Sequence, residues 1–127
     1  MNYTHPEGNA TYTAGGAIAK GDVVKFSDGK VVVCTGDTDA AIGVALDAAT
    51  ASGESIPVAI LGVFHGTVLV KASEAVTVGA GVNPTGGAAA KGDLVVGRAL
   101  TAASAANDMI EGAHCVAGSH IDHDTNT

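Results

Sequence analysis

The densest group of metal-binding side-chain types lies near the C-terminal end of the chain, in the stretch HIDHD. His120 and His123 stand beside Asp122 and Asp124, and imidazole and carboxylate groups are both ligands that Zn²⁺ accepts. No Cys-x-x-Cys pair accompanies them, and a polar tail must be ordered before it can hold an ion. The sequence therefore favours a solvated tail, and we expect neither a bound metal nor a cofactor.

Two glycine-rich patterns invite comparison with phosphate-binding loops. Gly81–Gly86 begins like a P-loop, but Gly87 and Ala88 stand where that motif requires lysine followed by serine or threonine. The overlapping stretch GAGVNP begins like a dinucleotide fingerprint and has Pro84 in place of its third glycine. Both patterns are more typical of a hairpin loop built from turn residues.

The side-chain types of acid–base and nucleophilic catalysis are present without the spacing that catalysis requires. No serine has the nucleophile-elbow pattern. The glutamates stand singly beside turn residues, at Glu7, Glu54, Glu74 and Glu111, with no paired acid and base. Glu54 and Asp108 fall at matching places in the repeat described below, which indicates a shared role in a turn. We expect a protein that is not an enzyme.

Charge and composition argue against several other classes of function. The net charge is −7, and the six basic residues are scattered singly. Nucleic-acid binding requires clustered lysine and arginine, so we expect no nucleic-acid partner. The longest uncharged runs, Ser55–Val70 and Ala75–Ala90, are shorter than the ~18 residues of a membrane helix. The N-terminus also lacks the basic and apolar regions of a secretory signal, so we expect neither a membrane partner nor secretion.

The interior must be built from small and β-branched side chains, because the chain has 18 glycines, 3% aromatic residues and no tryptophan. Such side chains bury less area than aromatic ones, so we expect modest stability that association would increase. Cys34 and Cys115 lie in strand-like sequence, where cysteine usually acts as a small hydrophobic residue. We expect buried or half-buried thiols, with a disulfide as the alternative.

Short runs rich in valine and isoleucine, separated by turn residues, extend over most of the chain. DVVKF and KVVVC flank Ser27-Asp28-Gly29 and predict a hairpin. AIGVAL, SIPVAILGVF and GTVLVKA predict further strands. The alanine-rich stretches are short and directly follow strands, so we expect strand ends and loops there with at most a single helical turn. The fold class predicted is all-β, as a compact β-sandwich or a small β-barrel.

The strand pattern occurs twice. Ala17–Gly21 matches Ala75–Gly79, and a hairpin turn follows in each copy. The second copy is then four residues shorter, after which Ile42–Leu46 matches Val96–Leu100 and the match continues without a gap through the alanine pairs that follow. A competing alignment pairs the two AKGD turns but sets the later segments out of step. The first alignment predicts two related β units.

These observations predict one domain with a segment on either side. The domain spans residues 14–117, with repeat units at about residues 17–61 and 75–115. Residues 1–13 show no apolar period and predict an extended N-terminal arm that becomes ordered on a partner surface. Residues 118–127 predict a polar C-terminal tail.

The chain resembles the head-decoration, or capsid cement, proteins of tailed bacteriophages. The likeness covers about residues 15–105 and is most specific in AIAKGDVV, IGVALDAA, GESIPVAILG and VGRALTAA. It implies a structural protein that binds the outer surface of the assembled major capsid protein lattice and stabilises the head. It also implies a virion location after synthesis in the host cytoplasm, and association with copies of itself as a homotrimer, with a dimer as the alternative.

We expect partner contacts in three regions. The arm contains both tyrosines, a residue type enriched at interfaces. The loop NPT and the segment VFHG are weaker candidates, and for the phenylalanine core packing is the alternative. The candidate contact residues are Tyr3, His5, Pro6, Tyr12, Phe64, Asn83 and Pro84.

The alternative function is a carbohydrate- or host-surface-binding β module of a virion or a bacterial surface. Such modules usually present exposed aromatic rings, and this chain has few outside its arm. An enzyme of the small β-barrel type is a third interpretation, for which the sequence offers no candidate base. Glycan binding would support the alternative, whereas lattice binding would support the cement function.

Overall fold

Two antiparallel sheets contain all nine strands found in the computed structural model, which describes residues 9–36, 39–64, 66–89 and 95–114. The strands are β1 (Asn9–Thr13), β2 (Val23–Ser27), β3 (Lys30–Val33), β4 (Ala41–Ala45), β5 (Ser55–Ile60), β6 (Val68–Lys71), β7 (Gly81–Val82), β8 (Gly97–Ala99) and β9 (Met109–His114). Within the described residues there is no helix. The predicted all-β class is therefore confirmed, in its two-sheet, sandwich-like form.

The first sheet has the strand order β1-β5-β4-β2-β3. β2 and β3 form the hairpin that the sequence predicts, with Ser27 opposite Lys30. Its turn residues Asp28 and Gly29 have φ angles of 56° and 77°. Positive φ at both positions is what a tight two-residue hairpin turn requires, and aspartate and glycine adopt it at little cost.

The second sheet has the order β6-β9-β8-β7 and repeats the first four strands of the first sheet. Ile18 and Ala49 exchange two backbone hydrogen bonds of 2.9 and 2.8 Å, and Val76 and Ala103 exchange two of 2.9 Å. These are positions that the preferred sequence alignment pairs. The bonds support the proposed pair of β units, while the domain boundaries remain a prediction.

The likeness of the two units begins earlier in the chain than the sequence repeat does. Ala10 in β1 lies opposite Val58, and Val68 in β6 lies opposite Gly112 at the corresponding place. β1 is thus the equivalent of β6, and residues 9–13 of the predicted arm form a strand of the first sheet. Below, residues 9–61 are called the first unit and residues 67–114 the second unit.

Small and β-branched side chains fill the interior, as the composition predicts. Ile56 and Ile110, which are 1% and 0% exposed, occupy the same place in the two units. Burial of each such side chain contributes about 1.5–3 kcal/mol. One buried cluster lies inside the first unit and consists of Ala14, Ile18, Val24, Val31, Ala45, Ala49, Ile56 and Val58.

A second buried cluster joins the two units. It contains the interior of the second unit together with residues on the other face of the first sheet, among them Val23, Val44 and Ala59. The first sheet is therefore covered on both faces, since one face packs on its own unit and the other packs on the second unit. This shared cluster holds the two units together.

Candidate functional site

One of the candidate contact residues near the N-terminus lies in β1, an edge strand of the first sheet. Tyr12 lies in β1, half-buried, and its ring meets that of Phe26 edge-on, with centroids 5.3 Å apart and an interplanar angle of 80°. Aromatic pairs favour this arrangement. The other three candidates of the arm, Tyr3, His5 and Pro6, lie outside the described residues.

Phe26 is a surface residue that the sequence analysis did not single out. It is 51% exposed although strand alternation puts it on the same side of β2 as the buried Val24. Phe26 lies near the end of β2, next to the hairpin turn, and the Tyr12 ring packs against it. Its position at the strand end, next to turn residues, was the signal available in the sequence.

The Asn83 side chain organises its loop from inside. Its Oδ1 accepts hydrogen bonds from the Thr85 N–H (3.1 Å), the Thr85 hydroxyl (2.7 Å) and the Gly87 N–H (3.0 Å). Its Nδ2 donates to the Ala88 carbonyl oxygen at 3.4 Å. Asn83 is only 4% exposed and Pro84 is fully buried. Both candidates therefore build the loop and offer little side-chain surface to a partner in this conformation.

Phe64 is half-buried and packs against the cluster that joins the two units, which is the core-packing alternative. His114 holds this segment in place from β9. The Gly62 N–H donates to His114 Nδ1 at 2.8 Å, so the ring proton is on Nε2, which donates to the Phe64 and Gly66 carbonyl oxygens at 3.0 Å. The imidazole thus fastens the segment between the two units and has a structural role in this arrangement.

The matching carboxylates Glu54 and Asp108 both act in turns. Thr50 donates from its hydroxyl and its N–H to the Glu54 carboxylate, and Ser104 does the same to Asp108. These hydrogen bonds hold the pKa of each carboxyl below its usual value, since they stabilise the charged form. The two acids are ionised turn acceptors, each bonded inside its own unit.

Asp39 has a similar role beside the hairpin of the first sheet. Its Oδ2 accepts from Lys25 Nζ at 3.0 Å and from the N–H groups of Thr35 and Gly36 at 2.9 and 3.0 Å. The Lys25 hydrogen bond, followed by the two backbone bonds, lowers the pKa of the Asp39 carboxyl. The ion pair fastens the end of the first sheet.

Cys34 is a free thiol, 5% exposed, at the junction of the two units. Burial, with a smaller contribution from Asp39, raises its thiol pKa to about 12. It borders a cavity of about 110 Å³ that is also lined by Asp22 of the first unit and Lys71 of the second. A protonated thiol is a weak nucleophile, which fits the expected role as a small hydrophobic residue. Cys115 lies outside the described residues.

Exposed large hydrophobic side chains are the most distinctive surface feature of the described chain. Two of them, Leu69 and Met109, point outwards from β6 and β9. The full set is Phe26, Val63, Leu69, Val78, Leu100 and Met109, with exposed fractions of 41–64%. Single exposed apolar residues are common on protein surfaces. Exposure alone therefore does not identify a contact surface, and the position of each residue relative to the two units must be considered.

No group of three or more potential metal ligands is found among the described residues. The HIDHD stretch, with His120 and His123, lies outside them. In the described part of the chain there is also no helix long and apolar enough to cross a membrane.

Comparison with known proteins identifies the family. No curated protein matches the chain. A family model described as phage cement protein matches residues 4–114, which includes both units and every described strand. The chain therefore belongs to the phage cement protein family.

Proposed function

We propose that the protein binds the outer surface of the assembled major capsid protein lattice and stabilises the phage head. The observation that carries this proposal is the family match over residues 4–114. A cement protein has a structural role, and we propose that this protein is not an enzyme.

Stabilisation follows from linkage. A protein that binds the assembled lattice but not free subunits shifts the equilibrium against disassembly. When the protein is an oligomer, weak contacts repeated on a regular lattice combine into a much higher overall affinity. We propose a homotrimer as the bound form, in which three copies share the same lattice site.

The acidic charge favours the outer face of the shell. A net charge of −7 opposes approach to packaged DNA, whose phosphates attract basic proteins. The same charge keeps free copies apart until apolar contacts offset the repulsion.

The proposed shell contact is the N-terminal arm, with Tyr3, His5, Pro6 and Tyr12. β1 fixes the end of this segment on the first sheet, through pairing from Asn9 opposite Ala59 to Thr13 opposite Ser55. An arm anchored at a strand loses less freedom on binding than a free peptide would, because one end is already held.

The test is cosedimentation of the purified protein with undecorated capsids, followed by heating of the pelleted shells. We expect saturable binding and a higher temperature of capsid rupture. The comparison is with a variant that lacks residues 1–8 and retains β1. We expect this variant to fold normally and to cosediment poorly with capsids. Absence of binding to the cognate shell would reject the cement function, and binding to a glycan panel would instead support the carbohydrate-binding alternative.

A further inference from the structure

The two units touch through different surfaces. The turn at Gly21 and Asp22 of the first unit meets strand β6 of the second unit. The Lys71 N–H donates to the Gly21 carbonyl oxygen at 3.0 Å, and Lys71 Nζ lies 3.2 Å from the Asp22 carboxylate. The Met109 side chain lies against Gly21. The contact therefore joins a turn on one unit to a strand edge on the other.

Because the units are alike, each has both a turn and an edge, and within the described chain the turn of the second unit and the edge of the first do not form this turn-to-edge contact. The turn of the second unit is at Gly79, whose N–H bonds to the Ala99 carbonyl as that of Gly21 bonds to Ala45. A Cβ added at Gly79 would meet no described atom within 4 Å, whereas one added at Gly21 would strike Met109. The Gly79 carbonyl oxygen accepts from the Arg98 side chain of its own unit at 2.9 Å, but the side of the turn on which a Cβ would lie is open at Gly79 and covered at Gly21.

The corresponding edge is β1, the equivalent of β6. Just beyond the end of β1, Ala14 bridges Val31 of β3 and the Gly15 N–H donates to the Val31 carbonyl oxygen at 2.7 Å. The Pro57 carbonyl oxygen accepts from the Leu46 N–H at 3.0 Å, so it faces β4. Thr11 lies opposite Pro57, and in an antiparallel pair such a residue directs its own N–H away from the partner strand. Thr13, two residues further along, has the same orientation. Its N–H corresponds to that of Lys71 and faces away from β5.

The side chains around the open turn are apolar. Val78 is 64% exposed and Leu100 is 46% exposed. Their equivalents in the first unit are Lys20 and Leu46, and Leu46 is partly buried against the joining cluster. Both equivalents line a cavity of about 280 Å³ together with Phe64, Val68 and Leu69. Leu46 is thus partly covered in the first unit where Leu100 is exposed in the second, whereas Lys20 is exposed as Val78 is.

We propose that the Gly79 turn of one copy binds the β1 edge of a second copy, as the Gly21 turn binds β6 within the chain. The Thr13 N–H then donates to the Gly79 carbonyl oxygen of the next copy, which also accepts from Arg98 of its own unit, and Val78 and Leu100 lie against the exposed Thr11. Thr13 and Ala80 take the places of Lys71 and Asp22, so this contact has no ion pair and depends on apolar burial.

Such a contact is heterologous, so it closes into a ring or continues as an open filament. A ring of three copies contains three of these contacts. The proposal deepens the self-association part of the proposed function, since it assigns the two surfaces that meet.

The first experiment links the two surfaces covalently. Lys20 and Leu69 line one cavity within the chain, so their equivalents Val78 and Thr11 are expected to lie close together between copies. We expect a Thr11→Cys, Val78→Cys variant, made like its controls in a Cys115→Ser background, to form disulfide-linked oligomers on oxidation, free in solution or on capsids. Each single variant should remain monomeric on a non-reducing gel. The matched control is Thr11→Cys with Val63→Cys, because Val63 is 56% exposed and lies outside the proposed contact.

The second experiment weakens the contact without a crosslink. Val78→Asp places a charge in an apolar contact, which is costly to bury, and we expect self-association to weaken at least about tenfold in sedimentation velocity. Val63→Asp should leave association unchanged, and circular dichroism should show both variants folded.

Absence of linked oligomers both in solution and on capsids, or equal linking by the control pair, would overturn the proposal. Equal effects of the two aspartate variants would do so as well. Crosslinking in solution requires no shell, so a failure of this proposal is distinguishable from a failure of capsid binding.

Discussion

Gly43 lies so close to the carbonyl oxygen of Ala59 that a Cβ added to it would collide with that oxygen, and Gly97 stands in the same relation to Ala113 in the second unit. The obstacle is backbone on a neighbouring strand, which cannot move aside as a flexible side chain can. We expect Gly43→Ala to lower the free energy of unfolding by about 2 kcal/mol or more, as overpacking does. Denaturant unfolding measures this.

The control for that change is Gly16→Ala. A Cβ at Gly16 would meet nothing within 4 Å among the described residues, and its φ is not positive. We expect a change of less than about 1 kcal/mol, in the stabilising direction, because alanine restricts the unfolded chain. Equal losses at the two positions would show that close approach is not the reason for glycine at position 43.

Asn83 is expected to be essential for its loop and dispensable for surface recognition. Asn83→Ala leaves the buried Gly87 N–H without the acceptor it has at 3.0 Å, and an unsatisfied buried donor costs about 1–3 kcal/mol. We expect lower stability in thermal unfolding, with capsid binding of the remaining folded protein unchanged. Thr85→Val, which removes only the hydroxyl bonded to Asn83 at 2.7 Å, should cost less. A folded, fully stable Asn83→Ala protein that no longer binds capsids would contradict this assignment.

Cys34 is expected to be unreactive in the folded protein. Burial raises its pKa from 9.0 to about 12, so at pH 8 the thiolate, which is the reactive form, is about a thousandfold rarer than in the unfolded chain. In a Cys115→Ser background, a thiol reagent should label the native protein very slowly and the unfolded protein quickly. Fast labelling in native buffer would show that the thiol is accessible.

The same pKa difference has a consequence at alkaline pH. The unfolded thiol loses its proton above about pH 9 and the folded one only near pH 12, so the unfolded state is favoured progressively between these values. We expect stability to fall as the pH rises through this window. Cys34→Ala should remove this part of the loss, and an unchanged alkaline profile would contradict the assignment.

Asp39 is expected to contribute to stability in a pH-dependent way. Its folded pKa lies below the usual value of 3.8, mainly because Lys25 donates to it. The contribution is therefore present above about pH 4 and is lost as the pH falls through the folded pKa. Asp39→Asn should unfold more easily at neutral pH and show a smaller further loss in acid. The control is Asp28→Asn, since asparagine also tolerates the positive φ of 56° at that turn. Similar acid profiles for both variants would reject the role of Asp39.

Much of the fold could be predicted because its signals are local. The hairpin at Ser27–Lys30 was readable from turn residues between two apolar strands. The two units could be recognised in the sequence because equivalent positions demand the same residue types, such as glycine at positions 43 and 97, where an added Cβ would meet a backbone oxygen. Each of these residue preferences is set by the local backbone or by a close neighbour, so it can be recognised in the sequence.

The interior of the NPT loop and the edge strand could not be predicted in the same way. Asparagine, proline and threonine are equally typical of an exposed turn, and only the packing of the loop shows that Asn83 and Pro84 are buried. β1 shows no apolar period, and the strand with which it pairs, β5, lies more than forty residues away in the chain.

The sequence by itself determined the all-β class, the acidic and mostly small-residue composition and the duplication of a β unit, because each depends on residue types at short spacing. Only the tertiary structure decided where the first unit begins and which surface of each unit is covered. The two units share a strand arrangement, and the covering of Gly21 but not of Gly79 depends on how whole sheets pack. That packing is a long-range relationship, which no local pattern in the chain specifies.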